Sequence, residues 1–165
     1  MDLRAIQRPL KQRYRENGDE ARITLHAGAG QNGVPVTCSV HLGDQALPSE
    51  AHPGVGGPGT APCSGDMLLA SLAACAQITC QMVATAMSLP VERISVSADG
   101  DLDLRGTLAI DRDVPVGFTE IRLSFDIDAP DATDDQIASL LEKTEQYCVV
   151  MQTLKHPPVI EFNRG

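Results

Sequence analysis

The sequence predicts one α+β domain, and three observations carry the expectation. Several short segments alternate apolar and polar residues with period two, two segments repeat apolar residues at helical spacing, and 165 residues with 42% apolar content suffice for one core without disulfides or a structural metal. Thirteen basic against 22 acidic residues give a formal charge of −9, which repels phosphate backbones and anionic lipid surfaces. Nucleic acid and membranes are therefore not expected partners. The first nine residues carry scattered charges and no apolar stretch of the secretory kind, and no run approaches the roughly 20 apolar residues of a bilayer span, so the expected compartment is the cytoplasm.

The elements follow in chain order. Arg22-Ile23-Thr24-Leu25-His26 and Val34 to Leu42 read as two strands of a hairpin across the Gly28-to-Gly33 turn. In the second strand Cys38 shares a face with Val34, Val36, Val40 and Leu42, the place of a small core residue. Residues 46–62 hold four prolines and four glycines, which predicts a long loop of about 16 residues, a length usually disordered or placed over a binding site. A helix is expected from Ser64-Gly65-Asp66 to about Ser88, with Ser64 as N-cap, Asp66 suiting the helix dipole and Pro90 marking the stop. It is apolar or small on nearly every side, the pattern of a buried central helix, and it reads as too short and too polar at Gln77 and Gln81 to span a membrane.

Val91 to Ala98, Leu102-Asp103-Leu104 and Ile121 to Ile127 read as half-exposed antiparallel strands, with a hairpin at Asp99-Gly100 and a turn near Pro115-Val116-Gly117. Thr133-Asp134-Asp135-Gln136 is a capping box that opens a second helix with Ile137, Leu140, Leu141 and Thr144 at helical spacing. That helix is expected to end before His156-Pro157-Pro158, with Val159 to Phe162 as a last edge strand.

Five cysteines, at positions 38, 63, 75, 80 and 148, fit poorly with a fully paired disulfide framework. The four histidines are far apart and no Cys-x-x-Cys occurs, so neither a metal nor another cofactor is expected. Cys75 shares a helical face with Leu68, Ser71, Leu72, Ile78, Thr79 and Met82, which encloses it. Cys80 lies about 140° around the same helix and cannot bridge to Cys75. Cys148 falls within about 20° of the direction of Ile137 and continues the apolar stripe of the second helix. If the two helices pack face to face, Cys75 and Cys148 can meet. A cysteine on an apolar helical face is more often an inert core residue than a nucleophile, so the pattern alone does not make the pair reactive.

The run Cys63-Ser64-Gly65-Asp66-Met67-Leu68-Leu69-Ala70-Ser71-Leu72-Ala73-Ala74-Cys75 and the later Glu145-Gln146-Tyr147-Cys148-Val149-Val150-Met151-Gln152-Thr153-Leu154 resemble the OsmC/Ohr family of hydroperoxide-detoxifying proteins. The order of elements over about residues 10 to 162 is similar too. The resemblance implies an OsmC-like fold, antiparallel sheets around a long buried central helix and a second helix, in an intertwined homodimer with its active site at the subunit boundary. It also implies a thiol-dependent peroxidase for organic or lipid hydroperoxides, with Cys75 as peroxidatic nucleophile, Cys148 as resolving thiol and an external dithiol as reductant. An apolar wall of Leu68, Leu72 and Met82 would favour organic substrates over hydrogen peroxide, since each buried methylene gains about 0.8 kcal/mol.

The chain departs from the family where an arginine of the N-terminal hairpin and a glutamate after a proline would hold the thiolate. No Pro-Glu pair stands before the first helix, which leaves Asp66 as the nearest acid. Arg15 is the chosen arginine, with Arg13, Arg22 and Arg105 as alternatives. Cys63, at the helix start, is either a third reactive thiol or a passive loop residue. Two further readings stand beside the peroxidase. One is a non-catalytic dimer of the same fold that binds a small apolar or thiol-reactive ligand; the other, a cysteine hydrolase, ranks last because no histidine lies on the first helix or its approach.

Overall fold

A computed structural model describes residues 2–164. Within them the chain forms two compact units, one holding the residues up to Leu69 and Asp99–Arg122, the other Ala70–Ala98 and the residues from Leu123 onward.

The first unit begins with a helix the sequence reading did not anticipate, α1 (Leu3–Glu16), capped by the Asp2 side chain, which accepts from the Ala5 N–H. Pro9 inside it disguises the helical pattern. A three-stranded antiparallel sheet follows in the order β1 (Ala27–Gln31), β2 (Thr37–Leu42), β3 (Gln45–Glu50). The strand expected at 22–26 is therefore displaced. Ala27 already pairs with Leu42, the last residue of β2, so residues 22–26 run past the end of their partner, and Leu25 is left 85% exposed.

The second expected strand also starts late. Val36 has a left-handed φ of 56°, which a β-branched residue resists, and the Thr37 hydroxyl ties this turn to Asn32 and to the Val34 carbonyl. Cys38 is half-buried rather than a core residue, because Val34 and Val36 of its supposed face are exposed. The expected loop loses its first residues to β3, where Pro48 is tolerated because the strand is an edge. The rest of the loop is a built structure. Glu50 accepts from both the N–H and the hydroxyl of Thr60, and a short 3-10 turn at Pro53–Val55 is capped by His52 Nδ1, which accepts from the Gly54 N–H.

Helix α2 (Ser64–Met87) starts in this unit and continues in the second. Its N-cap is Cys63, not Ser64: the Cys63 carbonyl accepts the Met67 N–H and the Asp66 carboxylate accepts the Cys63 N–H at 2.9 Å. Its other end is a Schellman motif, in which the Ser88 N–H donates to the Thr85 carbonyl and the Leu89 N–H to the Ala84 carbonyl, with Ser88 left-handed at φ 55° and Pro90 following.

β4 (Arg93–Asp101) and β5 (Glu120–Asp128) form a two-stranded sheet. Asp99-Gly100 is no hairpin: β4 runs through it. The Phe118 ring lies where a Gly100 side chain would start, 2.7 Å from an ideal Cβ, so the glycine serves close packing. The expected strand 102–104 is replaced by α3 (Leu104–Thr107), capped by Asp103, which accepts from the Arg105 N–H.

In the second unit α2 presents one buried stripe, Leu72, Ala76, Cys80, Val83 and Ala84. The expectation of a helix buried on nearly every side fails for this chain, since Ile78 and Met82 are exposed. The expectation that it is too short for a span fails as well, because α2 has 24 residues and an 18-residue stretch of it has a mean hydropathy of 1.6, enough by length and composition to cross a membrane. Here its stripe joins Leu89 and the fully buried Leu140 in a core flanked by Ile94, Phe125, Ile127 and Ile137.

The predicted capping box forms as read, with Thr133 and Gln136 exchanging hydrogen bonds at the start of α4 (Asp134–Tyr147). The helix does not continue through Cys148. It stops there and α5 (Val149–Lys155) begins. Among the described residues Val159 to Phe162 form no strand and are exposed, so the last expected strand is absent there.

Candidate thiol site

The break between α4 and α5 builds the site. Cys148 takes an extended conformation, φ −73° and ψ 107°, while its N–H donates to the Thr144 carbonyl and its carbonyl accepts the Gln152 N–H, both at 2.9 Å. One residue thus ends a helix and starts the next. The first turn of a helix has N–H groups without carbonyl partners, and α5 has no side-chain cap to satisfy them. Sulfur takes that place: the amides of Val149 and Val150 bond to Cys75, and those of Val150 and Met151 to Cys148.

Cys75, half-buried on α2, therefore meets Cys148, which is fully buried. Both thiols are free, and each acts on the ionisation of the other. Their environments push them apart. Burial raises Cys75, but the Val150 amide, the Cys148 thiol, the Thr79 hydroxyl and the Val149 amide outweigh it and hold Cys75 below the ordinary thiol range. Burial also raises Cys148, the Met151 amide opposes it, and donation to Cys75 together with charge there raises it further, so Cys148 ends above that range. Of the two thiols Cys75 is therefore the first to ionise as pH rises, and Cys148 the one that keeps its proton longer.

The other anticipated residues are engaged elsewhere. Arg15 sits exposed in the last turn of α1. Arg13 pairs with Glu20, Arg22 with Asp19 and Arg105 with Asp103. Asp66 accepts both the N–H and the thiol of Cys63, which with the nearby His52 hold its carboxyl below the usual range. Cys63 is thus part of a helix cap, at the edge of a pocket of about 810 Å³ in the first unit that Val55, Leu104, Val116 and Phe118 also line. Cys80 is buried against the Thr144 hydroxyl, and burial raises its thiol. Leu72, expected in a substrate wall, is buried in the fold, whereas Met82 is exposed. Among the described residues no group of three or more His, Cys, Asp or Glu side chains could hold a metal.

The sequence reading missed the amides of Val149 and Val150, for which no side chain speaks. It had placed Thr79 on the Cys75 face without giving it a role.

Residues 57–163 match the family model described as OsmC-like protein. No curated protein matches the sequence. Among solved structures, an OsmC-like protein from Mycoplasma pneumoniae is 18% identical, with a TM-score of 0.70 over 82% of this chain and 89% of its own. An organic hydroperoxide resistance protein OsmC from Legionella pneumophila is 17% identical, with a TM-score of 0.62 over 81% and 90%. The organic hydroperoxide resistance protein OhrB of Bacillus subtilis is 15% identical, with a TM-score of 0.54 over 82% and 93%. At these identities the structural likeness speaks for the fold.

Proposed function

The chain belongs to the family of OsmC-like proteins, and from that premise we propose that it is a thiol-dependent peroxidase that reduces organic or lipid hydroperoxides in the cytoplasm. The observation that carries the reading is the pair of free thiols brought together at the α4–α5 joint, with Cys75 lowered and Cys148 raised. The names of two structural neighbours, organic hydroperoxide resistance proteins, support the substrate class.

The Cys75 thiolate attacks the terminal oxygen of the hydroperoxide; the O–O bond breaks, the alkoxide leaves and takes a proton from water, and Cys75 becomes a sulfenic acid. Cys148 then loses its proton and attacks that sulfur, expelling water and forming the Cys75–Cys148 disulfide. An external dithiol reduces the disulfide and returns both thiols.

A homodimer belongs to the proposal. Exposed Ile78 and Met82 on α2, and the unpaired Val159, Ile160 and Phe162, the last 96% exposed, leave more apolar surface than a soluble monomer usually shows. The function is tested by peroxide consumption with a dithiol and tert-butyl hydroperoxide, which Cys75→Ser should abolish. Wild-type protein that neither turns over nor loses free thiol after one equivalent of peroxide would sink the peroxidase and favour a non-catalytic ligand-binding dimer. Elution at twice the 17.6 kDa of the chain would support the dimer.

A further inference from the structure

We propose that α1 is a docking arm for a second copy of this chain, its basic face seating on the acidic face of α4 in that copy. The proposal rests on the homodimer proposed above and not on the peroxidase. Among the described residues the only element that α1 packs on appreciably is the 3-10 turn at Gly18–Ala21 that follows it, and none of its residues is buried. Yet the helix is two-faced. At about 100° per residue, Leu3, Ile6, Leu10 and Tyr14 fall within about 80° of one another, and Arg4, Arg8, Lys11 and Arg15 within about 60° on a separate arc. Ile6 is 48% exposed, and those four cations are exposed too. A helix that sorts its residues in this way and leaves both faces open presents a surface to something outside its own unit.

Charge selects the partner. Helix α1 holds five of the chain's 13 basic residues and one of its 22 acidic ones, which leaves eight basic against 21 acidic elsewhere. An anionic membrane would attract the helix and repel the rest of the chain, whereas a second copy offers α1 the opposite charge. Within that acidic remainder α4 carries a matching ridge. Asp134, Asp135, Glu142 and Glu145 are exposed within about 100° of one another, on the side away from buried Leu140 and Thr144, and Glu145 is also paired with Lys155. Arg4 and Arg15 stand 11 positions apart, as do Asp134 and Glu145, so each ridge is about 16 Å long. The two faces agree in length and oppose in sign. Two-fold symmetry makes the contact twice, α1 of each copy on α4 of the other.

The test uses two full-length variants. In one, Arg8→Glu, Lys11→Glu and Arg15→Glu reverse the α1 face; in the other, Asp135→Lys and Glu142→Lys reverse the α4 face. Alone, each sets like charge against like and should raise the dimer dissociation constant about tenfold in sedimentation equilibrium at low salt, an effect that shrinks in about 0.5 M salt. Co-expressed, the two chains restore both contacts, because the acidic α1 of one meets the basic α4 of the other while the native α1 and α4 meet as before. Native mass spectrometry should then find the mixed dimer well above the share that random pairing gives, and that excess also shows that both chains fold. Random pairing with unchanged dissociation constants overturns the α1–α4 contact and leaves the dimer standing; a wild type that is monomeric at every concentration removes both. If the reversals compensate only when placed in one chain, α1 seats on its own α4 and the proposal fails. Binding to phosphatidylglycerol vesicles that the α1 reversal abolishes, without an excess of mixed dimer, would assign the helix to a membrane and overturn the proposal as well.

Discussion

Cys75 and Cys148 act on each other's ionisation in opposite directions, and the two residues occupy unlike positions, one fully buried at a helix joint, the other half-exposed on a long helix. The asymmetry suits the proposed roles. The more accessible sulfur is the one whose thiol is lowered, so it ionises first, and the inaccessible one is raised and keeps its proton longer.

A pH dependence follows with a definite sign. Because Cys75 is lowered in the folded protein, its reactivity should persist as pH falls below the ordinary thiol value of about 8.5 and be lost only on passing through the lower folded value. Cys148→Ala removes one donor and should move the inflection of Cys75 alkylation upward. An inflection that stays in place would show that Cys148 does not contribute.

Resolution can be separated from attack. Cys148→Ser should consume one equivalent of hydroperoxide and stop, leaving a sulfenic acid at Cys75 that dimedone traps as a mass increment on that peptide. Continued turnover with dithiol alone would mean that the reductant attacks the sulfenic acid directly, and a disulfide to Cys63 or Cys80 would name another resolving thiol.

Much of this architecture was legible in the sequence because side-chain chemistry marks it. The Thr133–Gln136 box, the α2 span and the period-two pattern of β5 all behave as read. Misplaced elements fail where a local signal loses to a longer-range one. Asp99-Gly100 carries a turn signal, yet the glycine is required by the Phe118 ring; Pro48 argues against a strand, yet an edge accepts it. Cys148 was assigned to a continuous helix because its residue type fits the stripe, whereas its own backbone angles set the break. The donors at Cys75 were the least legible part, since they include peptide groups that any residues at 149 and 150 other than proline would supply.

Leu140 tests the core that supports the site. It is fully buried and packs against Cys80, Val83 and Ala84, so Leu140→Ala should destabilise the protein by about 2–5 kcal/mol in denaturant unfolding. Thr144 lies one turn later and its carbonyl accepts the Cys148 N–H, so the loss should also loosen the joint and raise exchange at the Cys148 amide. Destabilisation below about 1 kcal/mol would place the core elsewhere.

Asp66 predicts an acid-side effect. Its carboxyl is lowered by the Cys63 N–H and thiol and by His52, so its contribution to stability is complete above the unfolded value of about 3.9 and is lost as pH falls through the lower folded value. Asp66→Asn should destabilise the protein slightly at neutral pH, since the carboxylate is exposed and screened by solvent, and flatten the acid limb of the stability curve below about pH 4. An acid limb identical to wild type would mean that the α2 cap carries no linked proton.

The Gly100–Phe118 contact gives the sharpest packing test. An ideal Cβ on Gly100 would lie 2.7 Å from two atoms of the Phe118 ring, closer than such carbons approach, and a tight 3.1 Å from the Leu69 side chain. Gly100→Ala should therefore destabilise by about 1–3 kcal/mol although alanine suits a strand better than glycine. Phe118→Leu alone costs packing, but combined with Gly100→Ala it vacates the ring positions the new methyl needs. The double-mutant cycle should show a favourable coupling of about 1 kcal/mol. Additive effects would mean that β4 moves away from Phe118 instead, and that Gly100 is there for a reason other than the ring.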